Sequence, residues 1–242
     1  MRQLLFLLVL IFCMSCKNKS TERYPYTFYS IKNYDGTAVE KLARMVRKND
    51  TVKISKFLAD NPSVSIDTRD KYFGYSLLMW AIFNHKYEAF HCLLNHGANP
   101  NFVGIYHRET PLYLAAGYCG PNYERDFRYC KELLEHGADP NMKNVIKKAV
   151  ARDLDYTKIL VEFGADYNCK IDRHSPAEWA IIFQQKDIAE YLIIQKKAIL
   201  YNKPYFKCWN IEDSAIVASK NRIEKYLNIH SEQRKYSIPS TK

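Results

Sequence analysis

The chain has 242 residues, 47% hydrophobic and 26% charged, with 8 Gly and 9 Pro scattered singly along it. That composition belongs to a globular chain of one large or two small domains, and excludes collagen-like, low-complexity and disordered classes. The formal net charge of +10 leaves nucleic acid, anionic lipid or an acidic protein as partners, and charge alone does not choose among them.

Arg2 precedes an unbroken apolar run from Leu4 to Phe12, which ends at Cys13-Met14-Ser15-Cys16. A membrane-spanning helix needs about 20 apolar residues; a basic start, a short apolar core and a small residue before a cut describe a secretory signal instead. Ser15-Cys16 followed by Lys17-Asn18-Lys19-Ser20 resembles the lipobox of bacterial lipoproteins, in which the cysteine is lipidated and becomes the new N-terminus. Cys13 and Met14 depart from the usual occupants of that box. The resemblance implies a signal peptide over 1–15, lipidation at Cys16, a tether over 16–36 and a place in the cell envelope, facing the periplasm or the exterior. A plain secretory signal, giving a secreted or periplasmic soluble protein, or an uncleaved anchor is the alternative. Outside the cytosol, the positive balance argues against nucleic acid.

In chain order, Ser76-Leu77-Leu78-Met79-Trp80-Ala81 is followed by Leu93-Leu94-Asn95-His96-Gly97-Ala98-Asn99-Pro100-Asn101. Thr110-Pro111-Leu112-Tyr113-Leu114-Ala115 precedes Leu133-Leu134-Glu135-His136-Gly137-Ala138-Asp139-Pro140-Asn141. The second motif returns as Leu160-Val161-Glu162-Phe163-Gly164-Ala165-Asp166-Tyr167-Asn168, and the first as Ser175-Pro176-Ala177-Glu178-Trp179-Ala180. Ser or Thr at the head of the first motif caps a helix, and Pro just after it loses only an N–H that had no helical partner. Gly97, Gly137 and Gly164 supply the left-handed residue that ends the second helix, with His96 and His136 placed at the negative end of its dipole. These residues resemble the ankyrin repeat, whose signature is Thr-Pro-Leu-His-x-Ala followed by Leu-Leu-x-x-Gly-Ala-Asp with a period of about 33. The resemblance implies an all-α repeat solenoid of stacked ankyrin-like helix pairs with short β-finger loops, five to six repeats over 37–228, and a C-terminal tail over 229–242.

Weaker copies flank the clear ones. Val46 to Asn61 fits a first repeat, with Asn49 and Asn61 where Gly is usual. After Ser175 the pattern reaches Lys196 where Gly is expected, so that helix should end differently; segments 214–218 and 223–227 are expected as a terminal helix pair. Extra residues around Tyr118 to Glu124 lengthen one inter-helix turn, and the short span from Gly137 to Lys143 leaves little room for a finger.

Apart from Cys13 and Cys16, the cysteines are Cys92, Cys119, Cys130, Cys169 and Cys208, an odd set without a Cys-x-x-Cys pair, which reads as core residues. A bridge between Cys119 and Cys130 could close the insertion. The histidines form no i, i+4 metal pair, and no Gly-x-Ser-x-Gly or phosphate loop occurs, so neither an enzyme nor a metal or cofactor protein is expected. Lys147-Lys148, Lys196-Lys197 and Lys203 read as solvated helix faces.

What remains is a surface. In ankyrin-like stacks partners usually meet the concave face of finger tips and first helices, which by motif position implies Tyr72, Tyr75, Phe83, Tyr106, Tyr118 and Phe183 as partner-binding residues. The alternative for Phe83 and Phe183 is packing between neighbouring repeats. The expected function is an envelope-anchored, monomeric scaffold binding an unknown partner protein, with an acidic partner suiting the charge. An immunity-type antidote that sequesters a toxin and a structural or stress-protective envelope protein are the alternatives.

Overall fold

The computed structural model describes residues 30–202 except Tyr106 and 118–125, together with Trp209 and 214–230. Cys16 and the signal, Cys119, Cys208, Tyr106, Tyr118 and the insertion around Pro121 lie outside the described residues. The chain divides into two compact units, the first running to Gly97 with residues 104–106, the second comprising 98–103 and everything from His107.

The first unit packs α1 (Glu40–Lys48), α2 (Thr51–Asp60), α3 (Leu77–Phe83) and α4 (Tyr87–Asn95). In α1, Glu40 opens the helix and Arg47 and Lys48 close it, each charge opposing the dipole end it sits on, while Leu42, Ala43 and Val46 form the buried stripe. Asn49 ends it in the left-handed region at φ 58°, as the sequence led us to expect, and its side chain accepts from Ala89 N at 2.8 Å. Asn61 departs from expectation: it sits at φ −131° and instead donates through its side chain to Phe57 O. Ser76 caps α3, accepting from Met79 N at 3.4 Å, and six of that helix's seven residues are buried.

A boundary also moves. Residues assigned to the tether, Ile31–Tyr34, form a 3-10 turn, and Tyr34 is 1% exposed with its hydroxyl donating to Tyr75 O at 3.1 Å. Burial, reinforced by the nearby Asp70 charge, pushes the Tyr34 phenol well above its ordinary pKa, so it remains a donor. The packed region therefore begins before residue 37, because an aromatic anchor lies upstream of the first helix.

The second unit contains α5 (Pro111–Ala115), α6 (Phe127–Glu135), α7 (Val145–Val150), α8 (Leu154–Glu162), α9 (Pro176–Ile182), α10 (Lys186–Glu190) and α11 (Ser214–Ile229). Thr110 and Ser175 cap α5 and α9 as expected, and Ser175 with Glu178 completes a reciprocal capping box. Gly97, Gly137 and Gly164 all lie at φ between 84° and 88°. His96 and His136 each donate from Nδ1 to a carbonyl in the last turn of their helix, at 2.8 Å.

A ladder of asparagines joins successive repeats in this unit. Asn101, Asn141 and Asn168 each have their own N–H held by an Asx turn two residues upstream, at 2.8 Å. So positioned, the Asn101 amide accepts from Asp139 N and donates to Gly137 O, and the Asn141 amide accepts from Asp166 N and donates to Gly164 O. Asn168 likewise accepts from Ile199 N at 2.8 Å.

Beyond α10 the pattern changes, as the missing glycine implies: Tyr191–Gln195 forms a π-helical turn, and Lys197 takes the left-handed conformation at φ 56°. The expected terminal helix pair is one continuous helix, α11, since Lys220-Asn221-Arg222 contains neither Gly nor Pro to break it. Arg222 fixes it through two bonds to Glu190, at 2.6 and 3.0 Å, and the buried Trp209 indole donates to Ile181 O. Among the described residues β structure is limited to one isolated antiparallel bridge, Ile171 with His174, at the finger before α9.

Candidate functional site

Before α7, where the short span from Gly137 to Lys143 leaves little room for a finger, the chain makes only the 3-10 turn Met142–Asn144, with Lys143 and Asn144 both left-handed at φ 57° and 54°. No Ser or Thr caps α7. Its exposed flank instead opens onto a cleft of about 420 Å³, lined by Lys143, Lys147, Lys148 and Arg152, by Tyr113 on α5, and by Ile171, Asp172 and Phe183 around α9.

The cations are organised by aromatic rings. Lys148 Nζ lies 3.7 Å from the Tyr113 ring centroid, and Lys147 Nζ lies 3.7 Å from that of Trp179 while bonding Asp172 at 2.6 Å. Trp179 is itself fixed by its indole N–H on Ile171 O at 2.9 Å and by stacking on Phe183, with centroids 5.1 Å apart. Lys147 and Lys148 are thus half-buried members of a built surface, which corrects their reading as a solvated helix face.

The anticipated contact residues fare unequally. Tyr72 is 44% exposed, whereas Tyr75 is 2% exposed and does not face solvent. Its ring is held between Phe73 and Phe83, at centroid distances of 6.2 and 5.6 Å, with Gly104 against its face. Phe83 is half-buried by that stack, and Phe183 is half-buried on the wall of the cleft. Phe83 belongs to the first unit and Phe183 to the second.

Sequence reasoning missed Tyr113 and Arg152, and took Lys148 for part of a solvated helix face. A signal existed for the first, since Tyr113 occupies the motif position where His is usual, on the outward side of the first helix. Nothing in the spacing marks Lys148 or Arg152.

Little suggests covalent chemistry. Cys130 is a buried free thiol whose pKa burial pushes up to about 12, so it remains protonated. Cys92 lies 3.8 Å from His96 Nδ1, but that nitrogen donates its proton to Cys92 O. Among the described residues no group of three or more His, Cys, Asp and Glu side chains is placed to hold a metal.

The family model described as ankyrin repeats (3 copies) matches residues 42–144. The human ASB11 ankyrin repeat domain matches in structure with a TM-score of 0.51 at 20% identity, covering 64% of this chain and 68% of that one. The fold is the ankyrin-repeat fold. Among curated proteins none matches the chain. Ankyrin repeats are in general protein-interaction modules, because stacked repeats present an extended surface that single helix pairs lack.

Proposed function

We propose that the chain is an envelope-anchored interaction module that binds a partner protein on the face formed by its fingers and first helices. The observation that carries this reading is the cleft on α5, α7 and α9, where half-buried aromatic rings and cations line one recess. Tyr and Trp with buried flanks are the side chains that dominate protein interfaces, and the ankyrin-repeat fold presents this face to partners. The anchor rests on the sequence: Ser15-Cys16 after a short apolar run resembles a lipobox. Acyl chains on Cys16 would hold a monomeric module at the membrane. Among the described residues no helix is long and apolar enough to cross a membrane.

Two measurements test this. Cys16→Ser should shift the protein from the membrane fraction to the soluble one or leave the signal uncut, and an unmodified Cys16 in membrane-extracted protein overturns the anchor. A photo-cross-linking residue at Tyr72 or Phe183 should trap a discrete partner in intact cells, while one at Glu135 or Glu162 on second helices should not. Adducts solely from the second-helix positions overturn the binding face.

A further inference from the structure

The cleft beside the missing finger combines a surplus of positive charge with apolar walls. Among the described residues Lys143, Lys147, Lys148 and Arg152 line it together with the Asp172 carboxylate, and Ala151, Ile171, Tyr113 and Phe183 supply apolar contact. Lys147 is engaged by Asp172 at 2.6 Å. Lys148 rests on Tyr113. A lysine already seated on a ring has given up part of its hydration and side-chain freedom, so an anion that meets it there sacrifices less on binding. Gly117 allows the seat: a Cβ at that position would stand 2.0 Å from Lys148 Cε. A recess of about 420 Å³ has room for a few side chains rather than for a folded element.

The geometry points to this cleft as the docking site for an acidic peptide segment of the partner protein, whose carboxylates meet Lys148 and Arg152 and whose neighbouring apolar side chain packs on Tyr113 and Phe183. The inference rests on the partner-binding reading above and names the chemistry that such a partner presents. A nucleic-acid strand matches less well. Its phosphates need cations set out along a track, whereas these converge on one compartment beside the Asp172 carboxylate.

The test titrates the purified full chain, in detergent at low salt, with a short fluorescein-labelled peptide in which Glu residues flank a Leu. Saturable binding is expected, weakened about tenfold or more by Lys148→Gln combined with Arg152→Gln, kept by Lys148→Arg, and reduced by added salt. Lys41→Gln with Lys53→Gln, on a basic patch of the first unit, should leave it unchanged. An unaltered melting temperature shows that the variants fold. Equal binding of the peptide with Gln for Glu overturns the proposal, as does full retention by the Lys148→Gln, Arg152→Gln chain. An oligothymidylate that outcompetes the peptide, or inorganic phosphate that displaces it at equal concentration, overturns it in favour of a nucleic acid or a small anion. If first-helix cross-links to the partner survive the double substitution, the cleft is not the docking site while the interaction reading stands. If those cross-links never form, the interaction reading itself fails.

Discussion

The segment that leads into α3 in the first unit and the one that leads into α7 in the second answer the same need in opposite ways. Ahead of α3, the Asp70 carboxylate accepts from Tyr72 N, Phe73 N and Tyr75 N at 2.7 to 2.8 Å, while Tyr34 and Arg69 donate to the carbonyls of Tyr75 and Gly74. The loop closes into a knot, and the Tyr34 and Tyr75 rings beneath it become core. Ahead of α7, six residues from Asp139 to Asn144 turn the chain sharply, and Lys143 and Asn144 join the rings and lysines beside them in lining an open cleft. Tyr75, just ahead of α3, is thus sealed beneath a knotted loop, whereas Tyr113 and Phe183 stay half-buried on the walls of a cleft.

Breaking the knot should have the largest effect. Asp70 is 6% exposed, and Asp70→Ala leaves three backbone donors without their acceptor. A loss of about 3 kcal/mol is expected, read as earlier urea unfolding of the first unit followed by hydrogen exchange. Gly104→Ala comes next. Its Cβ would lie 2.5 Å from the Tyr75 ring, which Phe73 and Phe83 hold in place, so about 2 kcal/mol of overpacking is expected. A melting temperature unchanged by Gly104→Ala would mean that the ring moves freely and the loop is no clamp.

In the second unit the ladder matters more than the loop. Asn141→Ala removes the bonds to Asp166 N and Gly164 O and should cost about 1 to 2 kcal/mol in chemical denaturation, with Asn141→Asp restoring at most the accepted bond. This ladder explains how much of the fold could be read in advance. The Gly-Ala-x-x-Asn segments carry their geometry locally, in a left-handed glycine and an Asx turn, so three copies sufficed to place helices, caps and repeat period. Tyr75 and Lys148 were not legible in the same way. Their surroundings come from Gly104 and Gly117, residues far along the chain whose missing side chains make the room. α11 is continuous where the family pattern implies a pair, because Ser214–Ile229 contains no glycine or proline to break it.

A pH scan probes the buried thiol on α6. Burial raises the Cys130 pKa to about 12, whereas an unfolded thiol titrates near 8.5. Between those values the folded state holds the proton that the unfolded state has released, so the contribution is intact below about pH 8.5 and fades as pH rises toward 12. Cys130→Ala should flatten that part of the alkaline decline in melting temperature, and native Cys130 should resist iodoacetamide at pH 8 while an exposed thiol does not.

The smallest expected effect is at Gly117, and it separates the two regions most sharply. By distance alone Gly117→Ala looks worse than Gly104→Ala, since its Cβ would meet Lys148 Cε at 2.0 Å and Nζ at 2.3 Å. The obstacle, however, is the far end of a flexible chain at the edge of a cleft, and it can swing aside where the Tyr75 ring cannot. Stability should therefore stay within about 0.5 kcal/mol, as for most surface changes. The swing would lift Lys148 from Tyr113, so binding of the acidic peptide should weaken although no charge has been removed. Equal destabilisation by Gly117→Ala and Gly104→Ala would show that the recess beside α7 is packed as rigidly as the knot before α3, and the contrast between the two segments would then be lost.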